Sequence, residues 1–490
     1  MLLKLQLCGR LSRFCNAIIR ATIEKGSPVK ALLTYKVLLS IGAFRPDERT
    51  LALVLKACTI SCDHLCNVEE AHGRIIKYGF QRYGTLSSTL FKLYLSDNRL
   101  ANALPLHDEI LHWDSNPFHG NLLIMCFSRK GELDNAYKVF KKMPVRDTVS
   151  WNSMIAAAVR SSRPKEALIL QTRMMRSGVE PDCFSFSTTL SACARAGALS
   201  HGKRVHSLMK EKEVDYESNP ILCSALIDMY SKCGEISMAR RIFYNVKRLS
   251  VSIWNSMISG LAMHGLGSDA VQVFEDMTKE GFFPDEVTFV GILTACSHCG
   301  MLDEARFYFT AMQQDYYVKP QAEHYCAMVD AMARAGKVVD AYETIKAMPI
   351  EPDAAIWRAL LGPCRRHGRR DLAEMALGQM RQCGGEDYVL LSSMYCSVKQ
   401  WGRAESTWRV MKAKKLRKAK GLSWFEVKGR VHQFKAGDRS HGKYEHIVRI
   451  LVELTRRAKE EGLVQVTESV AEESKKSLLL APKTSAMKDL

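Results

Sequence analysis

Asn152 and Asp182 return as Asn255 and Asp285, each displaced by 103 residues. A side-chain amide both donates and accepts hydrogen bonds, whereas a carboxylate only accepts them. Such a pair can recognise a ligand through directed hydrogen bonds, or it can simply cap helix ends. Recurrence at fixed spacing favours recognition. A second set with chemical potential is Cys296-Ser297-His298-Cys299. A zinc ion needs about four ligands, and no second cysteine pair stands nearby. Cys296 is also the counterpart of Cys193, in the matching contexts Leu190-Ser191-Ala192-Cys193 and Leu293-Thr294-Ala295-Cys296. A small packing residue is therefore the expectation. The sixteen cysteines are scattered without a compact framework, which suits reduced thiols. No metal site, cofactor or catalytic residue is expected.

The same displacement runs through the chain. The block Ser150-Trp151-Asn152-Ser153-Met154-Ile155 recurs around Trp254 and again around Trp357, 103 residues apart each time. Asn121 moves to Ser224, Gly131 to Gly234 and Ala136 to Ala239. A self-repeating chain must be read as an array, because each unit buries its apolar face only against its neighbours. The unit Thr148 to Asp182 carries apolar residues at helical spacing on two segments: Met154, Ile155 and Val159, then Leu168, Leu170 and Met174. Gly178 and Pro181 close the second segment. This predicts helix-turn-helix hairpins and an all-α fold, an α-solenoid. Units follow at Cys183, Pro220, Val251, Glu286 and Ala322, with earlier ones at Pro117 and Ser12. The array spans 12–353, and 63–114 fits the pattern poorly.

Hydrophobic residues make up 47% of the chain, and no apolar run is long enough to span a bilayer. No membrane association is expected. The net charge of +18 favours a polyanionic partner. Much of it lies between Ala354 and Glu460, with 24 Lys and Arg against 10 Asp and Glu. Trp401, Trp408 and Trp424 cluster there with Lys412, Lys414, Lys415, Arg417, Lys418 and Lys420. The start, Met1 to Ile23, has no acid and carries Lys4, Arg10, Arg13 and Arg20, which suits organelle targeting by residues 1–11. Residues 467–490 are polar with few aromatics and are expected to be a disordered tail.

Hairpins of about 35 residues ending Gly-x-x-Pro-Asp, with an aromatic residue before Asn at the start, resemble pentatricopeptide repeat proteins. The segments Ala225-Leu226-Ile227-Asp228-Met229-Tyr230-Ser231-Lys232-Cys233-Gly234 and Glu323-His324-Tyr325-Cys326-Ala327-Met328-Val329-Asp330 carry the likeness. Alternating long, longer and short units resemble the plant PLS subclass. Residues 354–427 resemble its E-type helical extension and 428–466 its E+ continuation, through Gly421-Leu422-Ser423-Trp424-Phe425-Glu426-Val427 and Val431-His432-Gln433-Phe434-Lys435. Lys420 departs from the family's usual Pro.

The resemblance implies a right-handed superhelix in which each repeat addresses one base of single-stranded organelle RNA through two side chains. Carried over, the pairs are Asn16 with Asp47, Asn121 with Asp147, Asn152 with Asp182, and Asn255 with Asp285. Each Asn–Asp pair suits a pyrimidine, preferably uracil, whose N3–H a carboxylate can accept. Ser224 with Ser250 and Cys326 with Asp353 leave the base open. Val149 and Phe118 could wedge between bases or pack in the core.

The resemblance further implies a site-recognition factor for C-to-U editing. Zinc-dependent cytidine deamination needs His-x-Glu and Pro-Cys-x-x-Cys, and neither occurs after His441. A DYW-type deaminase in trans, or another editing factor, would dock on residues 354–441. The acid-free start leans towards the mitochondrion rather than the chloroplast. The alternatives are a factor for RNA stabilisation, processing or splicing, and a tetratricopeptide-like protein-binding scaffold.

Overall fold

The computed structural model describes residues 2–40, 45–61, 65–96, 99–112, 114–246, 250–380, 383–416, 422–427, 430–435, 442 and 444–460. They fall into two compact units, 1–196 and 197–490.

The first unit contains α1 (Leu2–Glu24), α2 (Pro28–Ser40), α3 (Glu48–Ile60), α4 (Leu65–Lys77), α5 (Gly84–Ser96), α6 (Leu100–Leu111), α7 (Phe118–Arg129), α8 (Leu133–Lys142), α9 (Thr148–Arg160), α10 (Pro164–Arg176) and α11 (Cys183–Ala196). The second contains α12 (Leu199–Glu211), α13 (Pro220–Lys232), α14 (Ile236–Tyr244), α15 (Val251–Met263), α16 (Gly267–Lys279), α17 (Glu286–Cys299), α18 (Leu302–Gln314), α19 (Ala322–Arg334), α20 (Val338–Ala347), α21 (Ala354–Arg366), α22 (Arg370–Gln379), α23 (Gly385–Ser397) and α24 (Trp401–Ala413). Two strands, β1 (Leu422–Val427) and β2 (Arg430–Lys435), and a last helix, α25 (Tyr444–Glu460), follow. The architecture is an α-solenoid of helical hairpins with one added β-hairpin.

Within each unit, first helices stack on first helices, as in α7 on α9 and α13 on α15 on α17. The repeat explains why. Trp151 on α9 meets Phe140 on α8 edge to face, with ring centroids 4.9 Å apart, and Trp254 meets Phe243 the same way at 5.0 Å. Ala167 and Ala270 are fully buried where second helices approach first ones. Each buried aromatic contributes roughly 2–3 kcal/mol by area, and the edge-to-face pair adds about 1. Gly178 and Gly281 stop α10 and α16 at φ 75° and 81°, in the left-handed region where a side chain is strained.

The described parts of 63–114, where the sequence fits the pattern poorly, form the helices α4, α5 and α6, within the array drawn at 12–353. The pattern there is hidden because the link from Leu95 to Leu100 contains no Gly and α6 carries Pro105 inside it. Among the described residues of the extension 354–427 the last helix ends at Ala413, and Leu422–Val427 is a strand. It pairs antiparallel with Arg430–Lys435, from Leu422 opposite Lys435 to Val427 opposite Arg430. Two short runs holding Trp424, Phe425 and Val427, then Val431 and Phe434, around Lys428-Gly429 are the sequence sign of such a hairpin. Finally, α1 runs unbroken through the boundary drawn at residue 12. Lys418, Lys420, Gly421, 436–441 and the tail 467–490 lie outside the described residues. Among the described residues no helix is long and apolar enough to cross a membrane.

Candidate nucleic-acid interface

Asn152 projects from α9 and Asp182 precedes α11. The Asn152 Nδ2 donates to Asp182 Oδ1 at 3.0 Å. Asp182 Oδ1 also accepts the Ser185 backbone N–H at 2.8 Å, which satisfies one of the free donors at the start of α11. The Ser185 hydroxyl then closes the set by donating to Asn152 Oδ1 at 2.6 Å. The arrangement repeats at Asn255, Asp285 and Thr288. Asn255 Nδ2 donates to Asp285 Oδ1 at 2.9 Å, and Thr288 Oγ1 donates to Asn255 Oδ1 at 2.6 Å. It repeats again at Asn16, Asp47 and Thr50, with distances of 3.1 and 2.7 Å.

Asn121 differs. Its Nδ2 lies 3.4 Å from Asp147 Oδ1, while the Ser150 hydroxyl turns to Asp147 Oδ1 at 2.7 Å. Asn121 Oδ1 is left buried without a partner. That vacancy makes this pair the loosest of the four.

The two readings of these residues are therefore joined. The Asp residues are caps, and they also hold the Asn side chains. Burial opposes ionisation of Asp47, Asp147 and Asp182, but hydrogen bonds from the capped backbone, the neighbouring hydroxyl and the Asn amide outweigh it and hold their carboxyls below the usual range. In the sets of Asn152 and Asn255, Oδ1 of the Asp accepts the Asn amide and the capped backbone N–H, and the hydroxyl that faces the Asn oxygen lies within 2.9 Å of it as well. Asp182 and Asp285 are exposed, and their Oδ2 atoms take no protein donor among the described residues. Each Asn keeps one N–H to spare, since a primary amide has two.

The remaining candidates are arranged otherwise. Ser224 and Ser250 do not bond each other; both meet Ser252 Oγ, at 3.1 and 3.0 Å. Ser250 makes no side-chain cap on α15. Cys326 is half-buried, its thiol pushed up to about 11 mainly by burial. It makes no hydrogen bond to Asp353, which instead caps α21 through the N–H groups of Ala355 and Ile356, both at 2.9 Å. Cys296 is fully buried, and Cys299 Sγ accepts the Gly267 N–H at 3.1 Å, so both act in packing.

Exposed apolar residues stand at the helix starts, Val149 and Phe118 as the sequence suggested and three more beside them. Val149 is 55% exposed near the start of α9, and Phe118 is 39% exposed with Lys92 Nζ 5.2 Å from its ring centre. Phe184, Ile221 and Val287 are exposed at the equivalent place in α11, α13 and α17. Their signal in the sequence is position: each lies two residues after Asp182, Asn219 or Asp285. In α21 the residue after the recurrent tryptophan is Arg358, not Asn. Its Nε meets the buried Asp387 at 3.1 Å, an ion pair where the earlier hairpins place an amide.

Comparison with known proteins fits this geometry. A model described as the PPR repeat family matches residues 146–195 and 249–298, and one described as the PPR repeat matches 121–147, 184–214, 221–251, 287–316 and 323–350. The chain is 41% identical to pentatricopeptide repeat-containing protein At5g50990 of Arabidopsis thaliana, over 88% of its own length and 82% of the relative's. It is 35% identical to the Arabidopsis thaliana protein At3g02330, mitochondrial, and 34% identical to At1g08070, chloroplastic, spanning 46% and 54% of their lengths. Among solved structures it resembles the maize pentatricopeptide repeat protein PPR10 in complex with an 18-nt psaJ RNA element, with a TM-score of 0.60 and 19% identity over 83% of this chain and 61% of that one. The likeness to PPR10 carries the fold. Identity and coverage against At5g50990 carry the family: the chain belongs to the pentatricopeptide repeat family.

Proposed function

We propose that the chain binds single-stranded RNA in a sequence-dependent manner, with one hairpin per base, and that the Asn–Asp hairpins face uracil. The carrying observation is the pair of matching sets at Asn152/Asp182 and Asn255/Asp285, each with a spare amide N–H and an exposed carboxylate oxygen. Uracil offers carbonyl oxygens to the N–H and its N3–H to the carboxylate. Cytosine has a bare N3, which would face a carboxylate lone pair. Leaving such a polar group unpaired costs roughly 1–3 kcal/mol. Exposed Val149, Phe184, Ile221 and Val287 supply apolar contacts for base faces beside these polar groups. The RNA complex of PPR10, a member of the same family, supports the ligand class.

The function of that binding is to mark a cytidine for C-to-U editing in an organelle transcript. The basic region from Ala354 supports this as a docking surface for a cytidine deaminase acting in trans, through 354–441. In this reading a zinc-dependent deaminase acting in trans supplies the chemistry. The mitochondrion is the proposed compartment. Sequencing organelle transcripts from plants lacking the chain tests the role. One cytidine left unedited is the expected result; altered transcript ends with editing intact would instead assign RNA processing.

A further inference from the structure

A recess of about 330 Å³ lies between α8, α9 and α10. Its lining includes Lys141, Arg146, Arg173 and Arg176 with Tyr137 and Trp151, and no carboxylate. The acids of these two second helices are committed elsewhere: Asp134 and Glu166 lie 3.1 and 3.6 Å from Arg163 Nη1. Arg146 is fixed in place, its Nε and Nη2 donating to the carbonyls of Phe140 and Lys141 at 2.9 Å each. Arg173 Nη1 donates to the Tyr137 hydroxyl at 3.2 Å.

Packing does not require these cations. The edge-to-face pair of Phe140 and Trp151 is kept 103 residues on as Phe243 and Trp254. Of the four charges only that of Arg176 is kept, as Lys279. The counterparts of Lys141, Arg173 and Ser177 are Tyr244, Asp276 and Glu280. Arg240, the counterpart of Tyr137, is paired with Asp269, and Lys279 is paired with Glu275 and Asp276. Lys141, Arg173 and Arg176 stand near helix C-termini, where a cation offsets the macrodipole. The counterparts α14 and α16 carry Arg241 and Lys279 in their last turns; here three such residues from α8 and α10 converge with Arg146 on one hollow. Like charges at this density repel, and a multiply charged anion relieves the repulsion. Guanidinium groups match phosphate oxygens in pairs. The buried Nε1 of Trp151 has no partner, as is also true of Trp254, so the cations are what sets this recess apart.

We propose that this recess binds a phosphate group carrying more than one charge, on the second-helix side of α8 and α10 and independently of the Asn–Asp sets. The same chemistry is offered by a free di- or triphosphate and by the backbone of an RNA that extends past the base-reading residues. Isothermal titration of the full chain with pyrophosphate tests it, with Arg173→Gln/Arg176→Gln as the variant and Lys279→Gln as the control. Saturable 1:1 binding, at least tenfold weaker in the double variant and unchanged in the control, is expected. Lys141→Gln, judged folded by circular dichroism, should weaken binding in the same direction. If the double variant also loses affinity for a long RNA and shows a shallower salt dependence, the phosphate belongs to RNA; unchanged RNA affinity assigns a free phosphate ligand. Absent pyrophosphate binding, binding retained in both variants, or tighter binding of a polyglutamate peptide than of pyrophosphate would overturn the proposal.

Discussion

Asn255 gives one amide hydrogen to Asp285 across 2.9 Å, and the carboxylate that takes it also caps α17 through the Thr288 N–H at 2.9 Å. The side chain proposed to read a base is thus positioned by the residue that starts the next hairpin. The cap and the amide contact share one oxygen atom, while the other oxygen of that carboxylate takes no protein donor among the described residues.

Replacing Asp285 by Asn separates the two roles. Asn is as good a cap as Asp, so thermal stability should change little. The new amide can donate to a bare ring nitrogen, which the carboxylate cannot. Fluorescence anisotropy with paired oligonucleotides should show the preference at that base moving from uracil towards cytosine. An unchanged preference would remove Asp285 from the contacts.

Asn255→Ala should act on both. It removes a buried amide and the Thr288 hydroxyl's nearer acceptor at 2.6 Å, leaving that hydroxyl only Asp285 Oδ1 at 2.9 Å. A loss of roughly 1–2 kcal/mol in urea unfolding is expected, together with lost discrimination at the facing base. Stability lost with discrimination intact would make Asn255 purely structural.

Acid should weaken the hairpin junctions. The carboxyls of Asp47, Asp147 and Asp182 are held below the usual range in the folded chain. A group with a depressed folded pKa stabilises above its unfolded value, about 3.9 for Asp, and that contribution disappears as pH falls through the folded value. Melting temperature should therefore stay level down to about pH 5 and drop below about pH 4. Asp182→Asn, which keeps a cap without a titrating group, should shrink that drop.

Arg358 and Asp387 should behave as a coupled pair. Arg358→Ala leaves a buried carboxylate uncompensated, which destabilises more than a surface ion pair would. Asp387→Ala in the same chain should restore part of the loss, and a double-mutant cycle in urea measures the coupling. RNA affinity should be unchanged, since neither residue belongs to an Asn–Asp set.

Much of the architecture was legible because it is written as repetition. The returning tryptophans and Gly178 with Pro181 mark where helices start and stop, and α9 and α15 start at Thr148 and Val251. The four Asn–Asp pairs were legible by position, yet their third member was not. Thr50, Ser185 and Thr288 look like ordinary capping-box residues until their hydroxyls are seen to reach back to the Asn. Ser150 shows why sequence alone could not supply this: the same residue type at the same place turns to the carboxylate instead. Arg358 was hidden because its partner is 29 positions away in a hairpin without the Pro-Asp ending. The β-hairpin was missed because the alternation of Leu422 to Lys435 is broken at Trp424-Phe425 and His432-Gln433, and an expected helical extension overrode its aromatic and β-branched residues.

The central claim is that successive hairpins read successive bases, with uracil at those that carry Asn–Asp. Two hairpins separate Asn16 from Asn121, none separates Asn121 from Asn152, and two separate Asn152 from Asn255. Selection of bound RNA from a random pool by the purified chain should therefore enrich the order U-N-N-U-U-N-N-U, read from the 5′ side. The third and last U, opposite the closed sets of Asn152 and Asn255, should be strongest, and the second, opposite Asn121, weakest. Enriched sequences with no uracil at this spacing, or no enrichment at all, would contradict the account.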